Sequence, residues 1–464
     1  MLVFYDINEK PLSFFLPYYS DTDIALCGKS IVTKRMWDSF HASFTIVHDC
    51  LIIKNDSDFG GTFFDFPLKG ENGDVVKALD EIENYCLENY IKIKFGCLNE
   101  KEKALLSLRY DNFEVLSHRN FLDYIYTAED VKSFAGKKYA GQRNHINKFL
   151  SLYPDARFVI LKNEDKKDVE NLMEEWKKKE LYKKDSGAKY EFSLGKKFIL
   201  QADFNDYKVG GVRINGKLVA FSFGSEEGNT IILQYEKALH EYEGVNVYLV
   251  REYAKAFPTR YLNREDDSGE RGMRTSKMQY HPLRLEPECF FLVRNELTHL
   301  HSIPTVKTPR LTLTTIKEED AEKYFRLYTD EERNKYWGYD YKKDFPGELR
   351  HDVFFKAAKR DFRERMGLNF AIRSNGEFIG ETVLFEFNGR GECKLGVRIL
   401  PEYDGNGYGT EAFESTMNFA LYTLGIKRVL SSCYKQNVPS VRMHEKLMRK
   451  SGEDAEKYYY FREY

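Results

Sequence analysis

No stretch of this chain approaches the run of about 18 apolar residues that a membrane-spanning helix requires. The first residues, Met1-Leu-Val-Phe-Tyr-Asp6, carry no basic segment followed by an apolar one, so no secretory signal is expected. The seven cysteines are scattered at 27, 50, 86, 97, 289, 393 and 433 with no Cys-x-x-Cys pair. An odd, dispersed set argues against a disulfide framework and a thiolate zinc site, so no metal and a cytoplasmic location are expected. Net charge is only −2, which gives no overall pull toward nucleic acid or anionic lipid. What is present is ample for packed cores: 464 residues, 42% hydrophobic, with 32 Tyr and 35 Phe.

The most informative stretch lies near the C-terminus. A β-rich run from Lys394 to Leu400 stops at Pro401, and Gly405, Gly407 and Gly409 follow at alternate positions. A helical pattern then begins, with Ala412, Phe413, Met417, Phe419, Ala420 and Leu424 on or near one face. Strand, glycine loop and helix N-terminus form an anion site, because glycines admit the backbone closely and unpaired N–H groups point outward. No Gly-Lys-Ser or Gly-Lys-Thr closes this loop, which excludes a Walker site. The neighbourhood about 20 residues on reads Gly425-Ile-Lys-Arg428, without the acid a dinucleotide fold places on the ribose. A second strand, Arg428 to Cys433, a helix opened by Asn437-Val-Pro-Ser440 and a last strand at Tyr458 to Phe461 complete the pattern.

With Thr308-Pro-Arg-Leu-Thr-Leu313 at its start and Asn437-x-x-Ser440-x-x-x-x-Glu445-Lys-Leu447 at its end, the segment from about 307 to 464 resembles a GCN5-related N-acetyltransferase (GNAT), nearest those that acetylate ribosomal-protein N-termini. The resemblance implies acetyl-CoA as co-substrate, with its pyrophosphate on Gly405, Asn406, Gly407, Tyr408, Gly409 and Thr410. It also implies a parting of the strand from its neighbour, and backbone donors from Val397 to Ile399 for the thioester oxygen. Asn437 and Ser440 would face the thiol leaving group, Tyr434 is a further candidate catalytic residue, and a small-molecule or peptide amine would be the acceptor. Asp404 stands where relatives carry Arg or Gln, and Lys394 where they often carry Glu. Glu392 is therefore the substitute candidate for the general base.

The chain also repeats itself. Val212-Arg-Ile-Asn-Gly-Lys-Leu-Val-Ala220 parallels Ile372-Arg-Ser-Asn-Gly-Glu-Phe-Ile-Gly380, each a strand, an Asn-Gly turn and a strand. Glu241-Tyr-Glu-Gly244 parallels Glu402-Tyr-Asp-Gly405, and each is followed by a helix pattern and a basic-edged strand. The middle copy has Val245 and Val247 where the later glycines stand, so it should not hold CoA in the same way. Its polar residues, Asn263, Arg264, Glu265, Asp266, Arg274 and Lys277, follow the strand that faces the equivalent cleft. Residues 131–217 carry 20 Lys and Arg against 12 Asp and Glu, a surplus of eight suited to phosphates.

Residues of about 1–295 resemble a bacterial family related to the catalytic domain of phosphatidylglycerol lysyltransferase. The matching stretches are Gly136 to Phe149, Tyr153-Pro154, Tyr261 to Asp266 and Gly272-x-Arg274-x-x-Lys277-x-x-Tyr280-x-Pro282. This resemblance implies tandem GNAT-like folds and aminoacyl transfer from charged tRNA, with Arg143 on a tRNA-facing helix. The expected architecture is α+β: three GNAT-like units, each a mixed, mostly antiparallel sheet flanked by helices. Units are expected at 1–130 and 131–296, a linker at 297–308 and the acetyltransferase at 309–464. The alternative to a catalytic N-terminal module is an RNA- or partner-binding scaffold that delivers substrate to the acetyltransferase.

Overall fold

The computed structural model describes residues 2–20, 22–37, 40–58, 60–179, 186–337, 340–347 and 349–464. It divides into two compact units. The first comprises Met1–Ile82, Lys94–Leu105 and Val115–Phe291; the second comprises Glu83–Ile93, Leu106–Glu114 and Leu292–Tyr464. Among the described residues there are three sheets, of eight, seven and eight strands.

All three sheets contain the same segment. An antiparallel hairpin leads to a third strand, a helix crosses over, and the next strand pairs in parallel with the third. In the first sheet the hairpin is Ala42–Val47 with Cys50–Ser57, and Gly61–Asp65 lies parallel to Lys94–Leu98 across the helix Val75–Glu88. The second sheet uses Lys208–Ile214, Lys217–Glu227 and Thr230–Ala238, then the helix Val245–Ala256 and the strand Tyr261–Asn263. The third uses Gly367–Ser374, Glu377–Phe385 and Glu392–Ile399, then the helix Tyr408–Phe419 and the strand Arg428–Tyr434. The architecture is thus α+β with three mixed, mostly antiparallel sheets flanked by helices, as expected.

The hairpin turns follow from their residues. Asn215 and Gly216 have φ of 49° and 79°, and Asn375 and Gly376 have 50° and 84°. Positive φ at both central positions is what a two-residue hairpin turn demands, and Asn-Gly accepts it at least cost. The ladder shifts register at Val212/Arg213 in one copy and at Ile372/Arg373 in the other. In both copies the bulged arginine meets an aspartate from the short helix that follows the preceding strand. Arg213 pairs with Asp165 at 2.7 Å, and Arg373 pairs with Asp320 at 2.5 Å.

The expected boundaries shift. The second sheet already takes in Leu122–Thr127, and Cys289–Val293 returns to the first sheet. A divide at 130/131 would therefore cut between strands that the two sheets exchange, and the second sheet falls in one compact unit with most of the first. Residues 297–308, expected as a linker, are instead packed. Leu297 is fully buried in the core of the third sheet, Leu300, Ile303 and Val306 pack against that core, and Val306–Lys307 pairs with Thr312–Thr315. Apolar residues at these positions belong to a core because burying them removes their surface from water.

Candidate functional site

The site in the second unit begins where two strands part. Glu392–Ile399 runs parallel to Arg428–Tyr434 only through Glu392↔Arg428, Cys393↔Val429 and Lys394↔Leu430. Beyond that point the Ser431 hydroxyl donates to the Leu395 carbonyl at 2.9 Å, and the ladder does not resume. On its other side the strand stays paired with Glu377–Phe385 as far as Ile399. The Leu400 N–H donates to Ile379 O, and Thr382 Oγ1 donates to Gly396 O, so the even-numbered residues turn their backbone groups that way. Alternation along a strand therefore turns the N–H groups of Val397 and Ile399 into the gap.

The glycine loop closes the same end. Gly405 and Gly407 have φ of 76° and 72°, the left-handed conformation that favours glycine. A side chain added at Gly405 would meet nothing within 4 Å. Gly407 caps the helix Tyr408–Phe419 with no side-chain hydrogen bond, and the first intrahelical bond runs from Glu411 N to Gly407 O. The N–H groups of Tyr408, Gly409 and Thr410 thus lack intrahelical partners and give the helix end its positive character. Asn406 uses its amide to bridge Tyr403 O and Asp404 O, which fixes the loop rather than presenting the amide outward.

Across the gap, Tyr434 ends its strand and Asn437 caps the next helix, accepting from Ser440 N at 3.4 Å. The Ser440 carbonyl holds His444 Nδ1 at 2.7 Å, and His444 Nε2 lies 2.8 Å from Ser431 Oγ, the group that marks the parting point. Burial lowers the His444 pKa. Aromatic side chains line both strands. Trp337 lies so close to Gly396 that a side chain there would meet its ring at 2.7 Å. Tyr336 faces Tyr434 with ring centroids 5.8 Å apart.

Glu392 sits elsewhere. It lies at the closed end of the strand pair, where Asn388 Nδ2 donates to it at 2.8 Å and Arg428 stands 3.6 Å away. Seven residue steps of strand separate it from Ile399, a span of roughly 23 Å. The parting of the strands, not their paired start, faces the loop, so this carboxylate lies away from the candidate site.

Two family models match. Residues 310–448 match the acetyltransferase (GNAT) domain, and residues 28–290, more than half the chain, match the family described as phosphatidylglycerol lysyltransferase, C-terminal. The chain belongs to the latter family. Its second unit carries the GNAT domain, and the protein is an acyltransferase. The uncharacterized N-acetyltransferase YoaA of Bacillus subtilis (strain 168) is 26% identical over 145 residues, 30% of this chain and 79% of that protein. The crystal structure of a conserved protein of unknown function from Bacteroides thetaiotaomicron VPI-5482 aligns with a TM-score of 0.56 at 24% identity. It covers 63% of this chain and 100% of its own, a likeness of fold. No helix among the described residues is long and apolar enough to cross a membrane.

In the lysyltransferase-family module the equivalent cleft is filled. Gly244 caps the helix Val245–Ala256, but a side chain there would meet His145 O at 2.8 Å, because the helix Ala140–Leu152 lies against that end. Val245 is buried. Arg264 reaches back to Glu236 at 2.9 Å and lies over the Tyr280 ring at 4.6 Å. Lys277 donates to the carbonyls of Arg264, Glu265 and Asp266. Burial lowers the Lys277 pKa, and burial pushes the Glu265 carboxyl well up. Asn263 bridges Ala25 O and Asp123. The structure thus brings Asn263, Arg264, Glu265, Asp266, Arg274 and Lys277 into one neighbourhood. Arg143 instead binds the carbonyls of Phe134 and Gly136. Asp267, missed in the sequence, is the hub: it is fully buried and accepts from Tyr124, Arg119 and Arg274.

Proposed function

We propose that the GNAT domain binds acetyl-CoA and transfers its acetyl group to an amine, with the pyrophosphate on residues 405–410 and the thioester in the gap between the two strands. The observation that carries this reading is the end of pairing at Lys394↔Leu430 beside a glycine-led helix N-terminus. The residues fit such a guest: Gly405 leaves the space above the loop open, and three helix N–H groups lack intrahelical partners. The Val397 and Ile399 N–H groups would stabilise charge that develops on the carbonyl oxygen as the amine attacks. Asn437, Ser440 and Tyr434 would border the departing sulfur, with the Tyr434 hydroxyl as proton donor. Glu392 is tied to Asn388 and Arg428, so the amine would arrive already neutral. The acceptor would enter past Tyr336 and Trp337.

Calorimetry with acetyl-CoA tests this. One CoA per chain is expected, and Gly407→Val should abolish binding, since a branched residue is strained at positive φ and would crowd the phosphate path. Unchanged affinity in a folded Gly407→Val protein would sink the site. Thiol release with a panel of amines and peptides then identifies the acceptor class.

For the N-terminal module, the covered helix end and the Arg264–Glu236 pair favour a role other than acyl-CoA chemistry. The reading is a module that binds an RNA or protein partner, with aminoacyl transfer from charged tRNA as the catalytic version of it. Binding of charged and uncharged tRNA to the whole protein across a salt series separates these. Salt-steep binding that discriminates charged tRNA supports transfer, and salt-steep binding without discrimination supports an RNA scaffold. The absence of either points to a protein partner.

A further inference from the structure

The glycine loop has a charge problem. From Ile399 to Ile426 the chain holds Glu402, Asp404, Glu411 and Glu414 and not one Lys or Arg. A diphosphate held there would meet only acids from the loop and its own helix, apart from the helix N–H groups. The structure brings a cation to the glycines from far along the chain, whereas Arg326 pairs with Glu402. Arg310, just before the strand Thr312–Thr315, extends its guanidinium to the loop. Its Nη1 donates to Asn406 O at 2.8 Å, its Nε donates to Glu411 at 2.7 Å, and the group lies 4.9 Å from the Tyr408 ring centre. Its Nη2 is the nearest atom, at 3.5 Å, to where a side chain on Gly407 would stand.

We propose that Arg310 is the cation for the diphosphate of CoA, in place of the basic residue absent from the loop itself. The inference rests on the acetyl-CoA reading above and names a binding residue for it. Three points carry it. A guanidinium has five N–H donors. Glu411 and Asn406 each engage one, which leaves both Nη2 hydrogens and the second Nη1 hydrogen. Next, the fork is held in place rather than free to wander. Glu411 also accepts from the Arg310 backbone N–H at 3.0 Å and from Thr308 Oγ1 at 2.6 Å, so one carboxylate anchors both ends of the residue. Last, Arg310 is about half exposed and stands beside the glycine that caps the helix. A half-exposed, pre-oriented fork beside unpaired helix N–H groups is how proteins bind phosphate bidentately.

The competing role is structural: Arg310 would only tie the loop to the body of the domain. The two differ in which part of the donor they recognise. Acetyl-pantetheine keeps the thioester and the pantetheine arm but has no diphosphate. With the full-length protein, Arg310→Gln should weaken acetyl-CoA binding by calorimetry about tenfold or more. It should also flatten the salt dependence of that binding, while the KM for acetyl-pantetheine, read by thiol release, stays within about twofold. Arg310→Lys keeps the charge but loses the fork, and should fall between the two. It also serves if Arg310→Gln does not fold. Equal losses for both donors would overturn the proposal in favour of the structural role, as would unchanged acetyl-CoA affinity in folded Arg310→Gln and Arg310→Lys proteins. A parent protein that binds no acetyl-CoA would instead sink the acetyltransferase reading, and this inference with it.

Discussion

Arg398 stands directly across the ladder from Glu381, and its guanidinium pairs with that carboxylate while Tyr328 and Trp337 lie against it, their ring centres 3.9 and 4.1 Å away. Tyr324 donates to Glu381 at 2.5 Å, and Asn334 accepts from Arg398 Nη1 at 2.8 Å. Arg398 belongs to the strand whose neighbouring residues, Val397 and Ile399, turn their N–H groups into the gap. The pair therefore fixes that strand and fastens Trp337 over Gly396. Arg398→Ala leaves a buried carboxylate without its cation and is expected to cost about 3–5 kcal/mol of stability. Thermal melting, with Trp337 fluorescence shifting to a more polar environment, would show it. A melting point within a degree of the parent would mean the pair is dispensable.

The stretch 297–303 makes a second case. A free linker would be the first place a protease cuts, but Leu297 is buried in the third core, and Asn295 caps the short turn Glu296–His299 by accepting from Leu297 N. Limited proteolysis should spare this segment under native conditions. Leu297→Ala should lower stability by about 2–5 kcal/mol through the cavity it leaves. Early cleavage between Leu297 and Ile303 in the parent would contradict the packing seen here.

How much of this could be read from the chain depends on range. The Asn-Gly turns and the strand–glycine–helix order are local, so residues 212–220 and 372–380 announced two copies of one segment. The chain holds a further signal of the repeat: Leu161-Lys-Asn-Glu-Asp165 parallels Ile316-Lys-Glu-Glu-Asp320, and these aspartates receive Arg213 and Arg373. Long-range pairings were not legible. Nothing near Cys289 says that its strand returns to the first sheet, because period and propensity do not encode the partner. Glu392 was placed by its neighbours in sequence, while the distance that matters runs the length of a strand. Arg310 lies inside the Thr308 to Leu313 motif, but its reach to Asn406 depends on a fold that brings residues far apart in sequence together.

A third expectation concerns pH and the first unit. Glu227 is buried, with Ser30 donating to one carboxylate oxygen and no hydrogen bond to the other among the described residues. Burial pushes its pKa up to about 7, against the pull of Ser30 and Ser225. The folded state then binds the proton more tightly than the unfolded chain. Stability from this group is fully present below about pH 4.3 and is lost as pH rises through about 7. Glu227→Gln mimics the protonated form. It should remove that decline and raise stability at pH 8 by on the order of 1–3 kcal/mol. Denaturant melts of parent and variant at pH 5 and 8 would decide it; parallel losses across that range would show that another group carries the slope.

The last expectation separates two adjacent acids. Asp266 and Asp267 both lie in the charged loop of the middle sheet, yet their surroundings are opposite. Asp267 is fully buried. Burial alone would raise its pKa, but hydrogen bonds from Arg274, Tyr124 and Gly269 N–H outweigh it and hold the carboxyl well below its usual range. Such a group stabilises the fold at neutral pH, and its contribution is lost as pH falls from about 3.9 through the folded value. Among the described residues the Asp266 carboxylate receives hydrogen bonds only from Ser268, through its N–H and hydroxyl, and burial pushes its pKa up instead. Asp267→Asn removes the charge that Arg119 and Arg274 share, and should cost about 3–5 kcal/mol near pH 7. Asp266→Asn removes a carboxylate whose ionised form burial disfavours, and should be neutral or mildly stabilising at the same pH. The difference between the two variants should shrink steadily in melts taken at lower pH, as the parent Asp267 takes up its proton. If Asp266→Asn proves the more damaging, then Asp266 rather than Asp267 anchors the loop, and the hydrogen bonds to Arg119 and Arg274 carry little of its stability.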